Sequence, residues 1–308
     1  MTEQPTVGPR DIPDPIKRVV RQRCGFGCVI CGKPLYEYDH LLGWANVHRH
    51  VADEITLLCD QHHRERTNGL LPAAGVASAN QNPFNLRLGV SPPYDLHYSG
   101  YECVANFGNN VFTVEDRGYG TILVPLIIDG MAPVVFTLAD GHLLLSVTLF
   151  DEANRAVLRI DQNQLMYTID QWDIEFAGRA LTIRAGRGDV FIDITFEPPN
   201  RIQFNRGRVL FNGVEILLAE EYVWLSNNRG LIRRSYFNGN FGIVLGPPDP
   251  PAGCAMRLPN VSRYLGKSPR AGHMAARRAL ADAERRQRGM ELRIQEMTAR
   301  QSTRHFQS

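Results

Sequence analysis

The chain has 308 residues, 44% of them hydrophobic and 21% charged, with a formal net charge of +2. Such a length holds one large domain or two joined by a linker, and the composition excludes a disordered, collagenous or disulfide-stapled chain. No basic–apolar–small order of a signal peptide opens the sequence and no apolar run reaches membrane-spanning length, so a cytoplasmic protein with no membrane partner is expected.

Residues 1–13 are polar and punctuated by proline, the composition of a frayed arm. From Asp14 to Arg23 a short helix is expected, with Asp14 as its cap and Pro15 in its first turn. It stops at the glycines of C-G-F-G-C, and the most informative stretch begins there. Cys28-x-x-Cys31 and Cys59-x-x-His62 are two ligand pairs about thirty residues apart. Three thiolates and one imidazole close a structural Zn2+ site and supply the staple that so short an element needs in order to fold. Cys24 could also chelate with Cys28, but the Cys28/Cys31 spacing is the tighter knuckle, so Cys24 is placed beside the site. Asp39-His40 and His63 are left over and suit a second, catalytic cation. Cys103 and Cys254 stand alone and read as buried thiols rather than a bridge.

Residues 73–100 carry Pro, Ala, Asn, Ser and Gly with little periodicity and read as a linker, in which Phe84–Leu88 is an apolar stretch able to dock. From 101 to 250 the pattern turns to period two. Val190, Ile192, Ile194 and Phe196 alternate with Asp193 and Thr195, and Trp172, Ile174 and Phe176 with Asp173 and Glu175. Asp129-Gly130, Asn212-Gly213 and Asn238-Gly239 suit type I′ hairpins, which together imply an antiparallel sandwich, barrel or meander. Carboxylates on these strands are expected to face outward. Residues 262–308 hold helix formers and a basic excess of eleven Lys or Arg over four acidic residues after Ser262. They read either as a solvated helix with a thin Met290/Ile294/Met297 stripe or as an arm that gains affinity from nucleic-acid phosphates.

Asp39-His40, a gap, and then L-L-C-x-x-H-H resembles the HNH (ββα-metal) endonuclease family, over about residues 24–69. In the zinc-knuckle members C-x-x-C precedes an acidic residue and His, followed by N-L-x-x-L-C-x-x-C-H; here His62 stands where the fourth cysteine is usual. G-F-G-C-V-I-C-G with T-N-G-L-L is more loosely similar to bacterial HNH proteins that carry a β-rich region after the nuclease segment. The resemblance implies an α+β chain: a small zinc-stabilised ββα-metal domain at 14–72, the linker, an antiparallel β-rich domain at 101–250 and the basic tail. It further implies that Asp39 and His63 hold Mg2+, Mn2+ or another divalent metal and that His40 is the general base for hydrolysis of a phosphodiester, expected to be DNA. Glu54 falls in the family's asparagine slot, which braces the loop of the base. Glutamate accepts a hydrogen bond there but donates one only when protonated. Asn46, His50 and Asp53 are the residues near enough in sequence to compensate.

Arg18, Arg21, Arg23, Arg64 and Arg66 flank the motif as candidate phosphate contacts, although residues 1–72 balance nine basic against nine acidic groups. The rival expectation is a zinc-knuckle nucleic-acid-binding or scaffold protein without turnover. In either case the β region serves interaction, regulation or homo-oligomerisation.

Overall fold

A computed structural model describes residues 11–118, 120–249, 251–263 and 269–305, with side chains to 295. Most of the N-terminal arm, the short stretch before the C-terminal helix, and the side chain of Met297 of the expected apolar stripe lie outside what is described. The architecture is mixed α+β and dominated by sheet. No described helix is long and apolar enough to cross a membrane.

Helix α1 (Asp14–Arg23) is followed by β1 (Glu37–His40), the short α2 (Trp44–Val47), a 3-10 turn at Ala52–Glu54, β2 (Ile55–Leu58) and α3 (Asp60–Thr67). Strands β1 and β2 pair antiparallel, from Glu37 opposite Leu58 to His40 opposite Ile55. Ile55, Leu57 and Leu58 are buried with Val20, Val29, Cys28, Cys59 and Val76 in a small core of its own. So few apolar side chains bury too little area to hold an element of this size unaided, which is why the cysteines matter.

The expected linker is ordered. It forms α4 (Ala73–Gln81), α5 (Phe84–Leu88) and the two-residue β3 (Tyr94–Asp95). Pro72 and Pro83 precede the two helices, where a residue without an N–H loses nothing. Val76 packs in the small core. Asn85 is fully buried, and its amide donates to the carbonyls of Gly25 (2.9 Å) and Gly32 (3.2 Å). Gly32 sits at φ +75°, and a Cβ there would collide with Asn85. A polar side chain rather than an apolar stripe fixes this segment, and periodicity does not reveal that.

The strands continue as β4 (Glu102–Phe107), β5 (Asn110–Glu115), β6 (Thr121–Ile128), β7 (Met131–Ala139), β8 (His142–Phe150), β9 (Ala156–Asp161) and β10 (Gln164–Tyr167). Then come β11 (Asp173–Ala177), β12 (Ala180–Gly186), β13 (Asp189–Glu197), β14 (Arg201–Phe211), β15 (Val214–Ala219) and β16 (Tyr222–Leu225). The last are β17 (Gly230–Ile232), β18 (Tyr236–Asn238), β19 (Phe241–Leu245) and β20 (Met256–Leu258). One sheet runs β20-β19-β6-β7-β8-β9-β10-β3; the other runs from β11 to β17 and takes in β4, β5 and β18. Both give their apolar faces to one core, in which Leu143, Leu145, Val147 and Leu149 alternate inward along β8.

The region is not purely antiparallel. Strand β4 pairs parallel with β14, β18 with β5, and β19 with both β6 and β20. Parallel pairs need long crossovers, and turn dipeptides mark only the short connections. Asp129-Gly130 and Asn212-Gly213 hold positive φ at both residues, as does Asp140-Gly141, and each closes a hairpin. Asn238-Gly239 does not, because Asn238 ends a strand paired in parallel. The last helix, α6 (Pro269–His305), runs unbroken through Gly289. Its Ala276 and Leu280 pack on Leu217, Tyr222 and Trp224, whereas Met290, Leu292 and Ile294 are exposed.

Helix α1 joins the small core to the large one. Arg21 is only 4% exposed and donates to Asp173 twice (2.8 and 2.7 Å), to Glu175 (3.0 Å) and to Tyr38 (2.9 Å). Arg184 reaches both carboxylates from β12. The Arg18 guanidinium lies 4.6 Å over the Trp172 ring. Asp173 is therefore fully buried under α1 instead of facing outward. Burial opposes the Arg21 charge, but the hydrogen bond to Asp173 and the charge of that carboxylate outweigh it, and the guanidinium is held more firmly protonated than usual.

Candidate metal centre

Cys28 and Cys31 occupy a tight turn closed by the Gly32 N–H on the Cys28 carbonyl (2.7 Å) and the Cys28 N–H on that of Lys33 (3.0 Å). Cys59 caps α3, and His62 lies in the first turn of that helix. The four donor atoms lie within 4.8 Å of one another. Sγ of Cys31 and Cys59 are 3.7 Å apart, and His62 Nδ1 is 3.4 Å from Cys28 Sγ and 3.2 Å from Cys59 Sγ. A tetrahedral zinc with Zn–S of about 2.3 Å and Zn–N of about 2.05 Å requires S···S of about 3.8 Å and S···N of about 3.6 Å. The residues fit such an ion. The thiol of Cys28 is held well below the usual range, first by its hydrogen bond with Cys31 and then, against burial, by backbone N–H groups of Cys31, Cys59 and Ile30. Those donors favour the thiolate that a metal needs. Cys24 stands apart, its Sγ 3.7 Å from Asn80 Oδ1 and 4.0 Å from Thr56 Oγ1, and burial raises its thiol.

A second cluster forms where β1 meets α3. Asp39 Oδ1 lies 3.6 Å from His63 Nε2, and Glu37 Oε2 lies 3.4 Å from His63 Nδ1. The Arg66 guanidinium abuts Asp39 Oδ2 and also donates to the carbonyls of His40 (3.0 Å) and Leu41 (2.6 Å). Two carboxylates and one guanidinium leave a net charge of about −1 to attract a cation. Ligands at about 2.1 Å on one ion stand about 3.0–3.4 Å apart, close to the Asp39–His63 separation. An imidazole beside one carboxylate suits a transition ion better than Mg2+.

His40 belongs to a neighbouring group. Its Nε2 is 3.3 Å from His50 Nδ1, and its ring is 5.0 Å from that of Trp44, on which His50 stacks at 4.7 Å. Burial first, then His50, lower its pKa below the ordinary histidine value, although a hydrogen bond to the backbone of Arg49 works the other way. Glu54 braces this loop with its backbone: the Leu41 N–H donates to the Glu54 carbonyl (2.8 Å). Its side chain binds Arg49, Nε to Oε2 at 3.1 Å, and that hydrogen bond lowers the carboxyl. Asn46 bonds only Leu42 locally, and Asp53 is exposed.

The expected row of phosphate-facing arginines needs correction. Arg21 is buried against Asp173 and Glu175; Arg23 donates to the carbonyls of Ala52 (2.9 Å) and Ile55; Arg18 is stacked on Trp172. Arg66 is committed to Asp39 and to two carbonyls. Acceptors within the chain engage Arg21, Arg23 and Arg66, the buried Nε of Arg18 and of Arg23 have no hydrogen-bond partner, and Arg64 stays exposed on α3. Sequence reasoning passed over Glu37, although its E-x-D spacing with Asp39 on a strand signals a shared face. It also left the His40–His50 contact unassigned. Compared with known protein families, curated proteins and solved structures, the chain matches none.

Proposed function

We propose that the β1–β2–α3 unit is an HNH-type, metal-dependent phosphodiesterase acting on DNA in the cytoplasm. In this reading Cys28, Cys31, Cys59 and His62 hold a structural zinc, and Asp39 and His63 hold a catalytic divalent ion. The observation that carries it is the approach of Asp39 Oδ1 to His63 Nε2, 3.6 Å apart, with His63 next in the chain to His62 of the Cys/His cluster.

The ion, when bound, would stabilise the charge that develops on the phosphate and the leaving oxygen. His40, whose pKa burial and then His50 lower, takes the proton of the attacking water. Arg66 holds the carbonyls of His40 and Leu41 and so keeps the base and Asp39 in one frame. The phosphorus–oxygen bond to the departing nucleotide then breaks, and that oxygen is protonated from solvent. The exposed Arg64 and the basic face of α6 supply phosphate contacts, and the β-sheets supply an interaction or self-association surface.

The engagement of Asp39 by Arg66 favours a second reading, a zinc-knuckle protein that binds nucleic acid or serves as a scaffold without turnover. Incubating the purified chain with plasmid and Mg2+, Mn2+ or Ni2+ separates the two. Cleavage by wild type but not by His40→Ala supports the nuclease. Equal inertness of both, with one tightly held zinc and no second binding event, removes it.

A further inference from the structure

Glu37 and Asp39 are two residues apart on β1, so both side chains leave the same face of the two-stranded sheet. His63, on the first turn of α3, stands between them. Its Nδ1 is 3.4 Å from Glu37 Oε2, and its Nε2 is 3.6 Å from Asp39 Oδ1. One imidazole is thus bracketed by two carboxylates, one at each ring nitrogen.

Resting on the proposed catalytic ion, we infer that Glu37 is a positioning residue that fixes the tautomer and orientation of His63. The two ring nitrogens point their lone pairs in divergent directions, so a carboxylate at Nδ1 does not share the ion reached by Nε2. A carboxylate can only accept at that position. It therefore keeps a proton on Nδ1, so that when a cation enters between Nε2 and Asp39 Oδ1 it is the Nε2 lone pair that meets it. A carboxylate behind a histidine ligand also raises the basicity of that ligand and stops the ring from rotating. Contacts of this kind tighten when the site is filled. Glu37 is half exposed, its side chain 63% accessible, and it contributes nothing to the small core, so it can be altered without unfolding that unit.

The test uses the full chain with its structural zinc in place. Calorimetric titration with Ni2+ should show Glu37→Ala binding about 10–100-fold more weakly than wild type, with zinc content and Tm unchanged. Glu37→Gln, whose amide oxygen still accepts from Nδ1–H, should recover most of that loss. Long-range 1H–15N spectra of His63 give a reading that needs no second metal: a proton held on Nδ1 in wild type and Glu37→Gln, and its loss in favour of the Nε2–H form in Glu37→Ala. Wild-type Ni2+ affinity and an unchanged tautomer in Glu37→Ala overturn the inference. If His63→Ala also binds Ni2+ as tightly as wild type, the failure lies instead with the catalytic-ion reading beneath it.

Discussion

Replacing Arg21 by alanine should destabilise the protein more than any other single change in α1. The side chain makes four hydrogen bonds, three of them to carboxylates, and leaves Asp173 with no exposure to water. Charge-assisted bonds contribute about 1.5–3 kcal/mol each, and stripping one partner from a buried pair costs about 3–5 kcal/mol. Asp173 keeps Arg184 at 2.8 Å, which places the loss at the lower end, about 3 kcal/mol. For 308 residues unfolding as one unit, at an unfolding entropy of about 2.1 cal/mol/K per residue, that lowers Tm by about 5 °C. Urea denaturation followed by tryptophan fluorescence measures it, because Trp172 lies under Arg18 beside the pair. Asp173→Ala in the same background should then cost much less than it does alone, since the bonds between Arg21 and this carboxylate are already gone. An Arg21→Ala midpoint equivalent to under 1 kcal/mol of loss, with unchanged slope, would refute the assignment of this pair as the join between the two cores.

Cys59→Ala removes one ligand of the proposed zinc site and should lower the metal content and expose β2 to proteolysis between α1 and α4, read by metal analysis and mass-mapped digestion. Gly32→Ala should cost more than about 2 kcal/mol, because the residue is left-handed and a Cβ there meets Asn85; thermal melts check it. Any hydrolytic activity should have its acidic limb below the ordinary histidine value, since burial and His50 lower His40 and the neutral ring is the base. His50→Ala should move that limb upward in a kcat/KM–pH profile. The same shift makes His40 stabilising above the unfolded-state histidine value, a contribution lost as pH falls through the folded-state one. A pH series of melts should show that sign.

The candidate metal cluster was legible because chelation fixes both residue type and spacing: Cys28, Cys31, Cys59 and His62 meet as their intervals imply. Strand periodicity likewise placed Ile192, Ile194 and Phe196 in the core. The parallel pairings were not legible, because β4 and β14 meet across a long interval that leaves no local mark. Alternation also misplaced Asp173. Period two tells which side chains share a face, but not whether another element, here α1, covers the polar one. The arginines failed for a similar reason: charge in the sequence does not say whether the acceptor is a ligand or a carbonyl such as Ala52.

The join between Arg21 and Asp173 spans 152 positions, and this bears on how the protein is made. At about 5–20 residues per second a ribosome delivers Asp173 roughly 8–30 s after Arg21. Throughout that interval the nascent N-terminal unit has its cysteines, its histidines and a bare arginine face, while its carboxylate partner is still unsynthesised. Zinc uptake is therefore expected to precede docking, and an early stop before β11 would release a metal-loaded fragment whose arginines remain open to any polyanion nearby.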